Sequence, residues 1–225
     1  MLSSSQTDRG LLFWGWFHVA LGSAGVILVS VFYFCAPPMA AGPNLRVDMI
    51  AAVAATLTDR GALRYAGVTG AIVDPMIAVG AFLLTLVQRG STRRSVALYW
   101  LAASALLFTV ADIFAGFMLR ESAAAGVSSF AFVKPCFDAL VASSSFGYGL
   151  SAFLLGQASQ ADERRGRRAL GVALMIIGAG VTLSAIAILS GANAGAFLGL
   201  GLTLETTLFT LLGALCALDA KRMRS

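Results

Sequence analysis

The sequence predicts an all-α fold, a polytopic membrane helical bundle of six transmembrane helices with both termini cytoplasmic. Three observations carry that prediction. Of 225 residues, 58% are hydrophobic and 12% charged, against roughly a quarter charged in an average soluble domain. Mean hydropathy is +0.84, which leaves too little polar surface to cover a soluble core. The apolar residues gather into stretches of about 20 or more, the length a helix rising 1.5 Å per residue needs to cross a bilayer core of about 30 Å.

The spans are read at 11–35, 65–87, 96–119, 130–155, 170–189 and 194–217, within a single integral-membrane domain, 1–225. Pro37-Pro38 stops the first, Gln88-Arg89-Gly90 the second and Arg120-Glu121 the third. The first reads as a true helix, because its apolar run exceeds the 7 to 15 residues or so of a signal-peptide core. The outer-side loop, 36–64, begins irregularly at Pro37, Pro38, Gly42 and Pro43. Val47 to Leu57 then has the composition of a short interfacial helix, which either covers the bundle or acts as a lid. Between the last two spans, residues 190–195 are a link short enough to join only antiparallel neighbours.

Basic residues set the orientation, since Lys and Arg beside spans stay on the cytoplasmic side. With the N-terminus inside, 11 basic residues face the cytoplasm and 5 face outward, the latter being Arg46, Arg60, Arg64, Arg120 and Lys134. This accounts for the net charge of +5 and gives no reason to expect a nucleic-acid partner. Arg93, Arg94, Arg164, Arg165, Arg167 and Arg168 are candidates for anionic lipid headgroups. A bacterial cytoplasmic (inner) membrane is the expected location.

Cys35, Cys136 and Cys216 stand far apart with no CxxC spacing, and read as small buried hydrophobes. His18 is the one histidine. Haem, di-iron and zinc sites draw on several imidazoles or thiolates, so no metal and no cofactor is expected. Trp14 and Trp16 match an interfacial aromatic belt.

Two short similarities recur. Thr7-Asp-Arg-Gly10 returns as Thr58-Asp-Arg-Gly61, each ahead of a span, and Ala81-Phe-Leu-Leu84 returns as Ala152-Phe-Leu-Leu155. Gly191, Gly195 and Gly199 have the GxxxG spacing of a close helix contact, against the fifth span or between copies of the chain.

The functional signal is the set of acids inside the spans: Asp74, Asp112, Asp138 and Glu205. A carboxyl in hydrocarbon costs several kcal/mol unless neutralised, paired or hydrated, so such residues are default functional candidates. Counted from the outer ends, they lie about seven to eleven residues deep, roughly 10 to 16 Å. Asp74 shares its face with Gly67, Gly70, Ala78, Ala81 and Thr85. Asp112 shares one with Ala105, Thr109, Ala115 and Gly116, and Asp138 with Ala142, Ser145 and Gly149. Small residues mark close helix contact, so these three acids face inward. Glu205 has a more mixed neighbourhood. Lys134, one turn before Asp138, is a candidate charge partner for it, and Asp74-Pro75 suggests a break in the second span.

The leading functional expectation is an acidic cavity in the outer half of the bilayer, where these acids bind or translocate a proton, a cation or an amine-bearing small molecule. One alternative is an intramembrane acid-base enzyme acting on a lipid or isoprenoid. Another is a structural or sensory subunit of a membrane complex, and a homo-oligomer fits the sequence equally.

Overall fold

A computed structural model describes residues 4–87, 92–162 and 164–222, and among these the regular structure is entirely helical. In chain order the elements are α1 (Ser4–Cys35), α2 (Pro38–Ala41), α3 (Met49–Thr58), α4 (Ala62–Val87), α5 (Thr92–Ile113) and a π-helical turn, Phe114–Met118. Then follow α6 (Leu119–Ala125), α7 (Val127–Ser159), α8 (Arg165–Leu189) and α9 (Gly195–Arg222). Six spans result: Thr7–Cys35, Ala62–Val87, Thr92–Ala125, Val127–Ser159, Arg165–Leu189 and Gly195–Arg222. The architecture is that of an integral membrane protein. Most spans are longer than hydropathy suggests, because backbone hydrogen bonding carries each helix past the end of its apolar run. Gln88, Arg89 and Gly90, the expected stop of the second span, and Arg224 lie outside the described residues.

Each span packs against the next in the chain, and α9 closes back onto α1, so the six stand in chain order around a ring. Large apolar side chains such as Ile72, Phe132, Leu183 and Phe197 point outward, as a lipid-facing surface requires. One end of the bundle carries the start of α1 and the end of α9 (the terminal end); the other carries residues 36–61 and 190–194 (the loop end).

Small residues set the spacing of the ring. A Cβ on Gly15 would meet the Gly80 carbonyl, and one on Gly22 the Val73 carbonyl, which brings α1 and α4 backbone to backbone. Gly149 with Gly178, and Gly156 with Gly171, do the same for α7 and α8. Gly67 on α4 abuts the backbone of Asp112 and Gly116. Backbones approach this closely only where side chains are absent.

Several local expectations are corrected. α4 runs without a break through Asp74-Pro75, and α7 runs through Pro135, since neighbouring spans hold a helix that has lost one N–H donor. The repeated Thr-Asp-Arg-Gly adopts two structures. Thr7 to Gly10 lies inside α1, whereas Asp59 caps α4 by accepting the N–H groups of Gly61, Ala62 and Leu63 at 3.1 to 3.2 Å. Gly61 there has φ +104°, a conformation that favours glycine. Gly191 sits in a turn against Arg46, Gly195 meets Pro43 and Gly199 faces Phe34, so this row packs on α1 and the 36–48 segment rather than on α8. Cys35 is exposed, and Trp16 is buried rather than interfacial.

The long loop does hold a helix. Asp48 caps α3 through the N–H groups of Ile50 and Ala51, and α3 rests on α6 and α7. Ahead of it, Ala36, Ala40 and Ala41 are buried against the bundle.

At the terminal end, Asp219 pairs with Arg164 and Arg167, and Arg167 also reaches Asp162 at 3.1 Å. Asp219 thus ties α9 to the start of α8. Asp162 accepts the backbone N–H of Arg164 at 3.0 Å. That bond, opposed slightly by burial and aided by the two arginines, holds its carboxyl below the ordinary 3.8. A depressed carboxyl stabilises the fold above its unfolded value, and the contribution is lost as pH falls through the folded value.

Two outcomes follow. Gly67→Ala drives a methyl into the α5 backbone and should destabilise by about 1 to 3 kcal/mol, read as thermal unfolding in nanodiscs. Gly180→Ala, with nothing within 4 Å of the new methyl, should be neutral or slightly stabilising. The protection factor of the Arg164 amide, its exchange rate taken relative to the intrinsic rate at each pH, should fall on acidification below the ordinary aspartate range in the wild type, and Asp162→Asn should remove that dependence.

Candidate functional site

The site begins with an absence of side chain. A Cβ on Gly70 of α4 would coincide with the carboxyl of Asp112. Gly70 thus lets Asp112, at the end of α5, lay its side chain against α4. Asp74 lies one helical turn beyond Gly70 on the same face, and its carboxyl comes within hydrogen-bonding reach of that of Asp112. Both are buried, at 3% and 4% exposure. Asp112 lies two residues before the π-helical turn, where the N–H of Leu119 reaches back to the carbonyl of Phe114. Asp112, Ala115 and Leu119 are all buried, on the inward side of this span.

A third group completes the pair. The hydroxyl of Tyr33, near the end of α1, donates to Asp112 Oδ1 at 2.5 Å. Asp74 Oδ2 has no hydrogen-bond partner among the described residues. A carboxylate only accepts, so contact between two carboxyls is favourable only when one of them carries a proton.

Asp74, Asp112 and Tyr33 line a cavity of about 650 Å³ inside the ring at its loop end. Its walls come from α1, α4, α5, α7 and α9 and are mainly apolar, with Ile77, Phe108, Phe137 and Leu202 among them. The 36–48 segment forms part of the lining, with Arg46 and Asp48 contributing charge. The volume is within the range of small-molecule sites.

The other acids stand apart. Asp138 is paired with Lys134, both at 0% exposure. Lys134 also donates to the Gly42 carbonyl at 3.0 Å and lies 5.3 Å from the centre of the Phe137 ring. This pair fastens the 36–48 segment to α7 and does not line the cavity. Glu205 is fully buried on α9, also off the cavity wall, and neither of its oxygens has a hydrogen-bond partner among the described residues. The expected layer of four acids is therefore one pair, one ion pair and one separate residue. Helix order and side-chain direction decide this, and depth alone does not.

Sequence reasoning missed Tyr33 and Tyr148. Tyr33 stands in an aromatic run at a span end, which reads as an interfacial anchor. Tyr148 lies between Gly147 and Gly149, and that small-residue setting is a usable sign of an inward face. His18 is engaged locally, its Nδ1 2.7 Å from the Trp14 carbonyl. Among the described residues no group of three or more His, Cys, Asp or Glu forms a metal-binding cluster.

Comparison with known proteins finds no matching family model, no similar curated protein and no matching solved structure.

The Lys134–Asp138 pair makes a separable prediction. Lys134→Met strands a buried acid and should cost about 3 to 5 kcal/mol, whereas Lys134→Met with Asp138→Leu should recover much of that loss. A double-mutant cycle on unfolding in lipid nanodiscs measures the difference.

Proposed function

We propose that the protein is a small membrane transporter whose cavity binds a cationic or amine-bearing small molecule at Asp74 and Asp112 in exchange for a proton. The observation that carries this reading is the contact of two buried carboxyls on the wall of a largely apolar cavity. Tyr33 gives the charge of Asp112 a partner, which leaves Asp74 to carry the proton when the pair holds one. A cationic headgroup against the pair replaces that proton, and the apolar wall receives the rest of the ligand. Ligand and proton then compete for one site, which is the physical basis of exchange.

The positive-inside pattern supports an orientation with the terminal end in the cytoplasm, so that the cavity lies in the outer half of the membrane. An all-helical span set fits a bacterial inner membrane rather than an outer one, which barrels cross. Arg93, Arg165 and Arg168 would then face cytoplasmic lipid headgroups.

The test is thermal unfolding in nanodiscs with benzyltrimethylammonium, a permanent cation with an apolar ring. The wild type should be stabilised, by about 2.7 kcal/mol at a hundred times the dissociation constant, and more so on the alkaline side of neutrality, where protons compete less. The groups facing the ligand are Asp74, Asp112 and Tyr33, with Arg46 and Asp48 beyond them. Asp112→Asn should abolish the stabilisation. Equal stabilisation of wild type and mutant, or none in the wild type, overturns the reading.

A further inference from the structure

A second cavity, of about 490 Å³, opens at the terminal end of the ring. Its lining changes character with depth. Leu12 and Trp16 of α1, Leu155 of α7 and Leu212 of α9 form an apolar floor. Nearer the helix ends the lining is charged, with Arg94 of α5, Asp162 and Arg164 of the link after α7, Arg167 of α8, and Asp219 and Arg222 of α9. On α9, Leu212 of the floor lies two helical turns before Asp219 of the rim, roughly 10 Å along the axis.

The rim is organised around one carboxylate. Asp219 Oδ2 accepts from both Arg164 and Arg167, and Arg167 also reaches Asp162 at 3.1 Å. Two guanidiniums are thereby held side by side. A third, that of Arg94, donates to the Ala158 carbonyl at 3.5 Å, which sets it against the end of α7. Among the described lining residues, four arginines stand against two aspartates, so the cavity is positive. The sequence gives the same sign to the whole end, whose segments hold 11 basic residues and four acids, Asp8, Asp162, Glu163 and Asp219.

Guanidiniums gathered in this way repel one another, and each gives up part of its hydration in a partly enclosed space. An anion bound among them offsets both effects, and the guanidinium fork matches the oxygens of a phosphate. The polarity is the reverse of that at the loop end, where the cavity presents Asp74 and Asp112. A cation suited to the acid pair is repelled here, so the two cavities differ in the ligand they take.

We propose that the terminal-end cavity is a binding site for a phosphate-bearing amphiphile. Its phosphate lies among Arg94, Arg222 and the Arg164–Arg167 pair, and its apolar part rests on Leu12, Trp16, Leu155 and Leu212. Two sources offer this chemistry. One is the phospholipid of the surrounding bilayer, since basic pockets between spans receive anionic headgroups. The other is a phosphate ester dissolved in the water at that face. The site is separate from the acid pair, and its occupancy does not depend on what the loop-end cavity binds.

The experiment is thermal unfolding in phosphatidylcholine nanodiscs, with two additions made separately. One is phosphatidylglycerol incorporated into the disc, and the other is phenyl phosphate in the buffer. At least one should raise the unfolding temperature of the wild type, and the one that does identifies the source. Arg94→Gln should weaken that ligand about tenfold or more, the loss of a charge-assisted contact. Lys221→Gln removes the same charge at the same end but outside the cavity lining, and should respond as the wild type does. Asp112→Asn should also respond as the wild type does, which separates this site from the cation site. The proposal is overturned if neither addition stabilises the wild type, if Arg94→Gln keeps the full effect, or if Arg94→Gln and Lys221→Gln lose it alike, which is the behaviour of a diffuse surface charge. Should Arg94→Gln not fold, Arg222→Gln carries the same comparison.

Discussion

A carboxyl placed in hydrocarbon must find its partners within the protein, and the four intramembrane acids meet that constraint in different ways. Asp138 has a lysine one turn away. Asp112 has a tyrosine from another helix. Asp74 has Asp112 itself, a solution that works only with a proton between them. Glu205 is fully buried, and neither of its oxygens has a hydrogen-bond partner among the described residues. The first is a structural solution; the contact between Asp74 and Asp112 calls for a proton between the two groups. The difference between scaffold and site in this molecule is thus a difference in how a buried charge is answered.

The ring geometry explains why such groups have room. Six spans in chain order leave space at the centre, and glycine seams between α1 and α4, α4 and α5, and α7 and α8 draw the wall tight. Side chains large enough to fill the middle, Tyr148 and Phe209 among them, close the ring at mid-depth. Toward each end the filling gives way to a cavity. At the loop end, the Lys134 contact to Gly42 holds the 36–48 segment in place as part of the cavity lining. The same residue that neutralises Asp138 therefore also positions the segment at the site.

Much of the site was legible in one-dimensional form. The row of Gly67, Gly70, Ala78 and Ala81 marks the inward face of Asp74, and all four are buried. The spacing of Lys134 and Asp138 announces their pairing. Tyr33 was not legible, because an aromatic residue at a span end belongs equally to an interfacial belt. The separation of Glu205 from the other acids was not legible either: residues at similar depth on different helices meet only if those helices are neighbours with matching faces, and depth carries no information about either.

The sequence by itself determined the membrane class, the six spans and the identity of the acids. These depend on local quantities, namely apolar run length, charge and the period of small residues along one helix. The tertiary structure decided that Gly70 admits Asp112 beside Asp74, that Tyr33 reaches Asp112 from α1, and that Glu205 stays apart from the cavity the pair lines. Those contacts join residues between 38 and 79 positions apart in the chain. They exist only once helix order, rotation and approach distance are set by packing, and no local period encodes them.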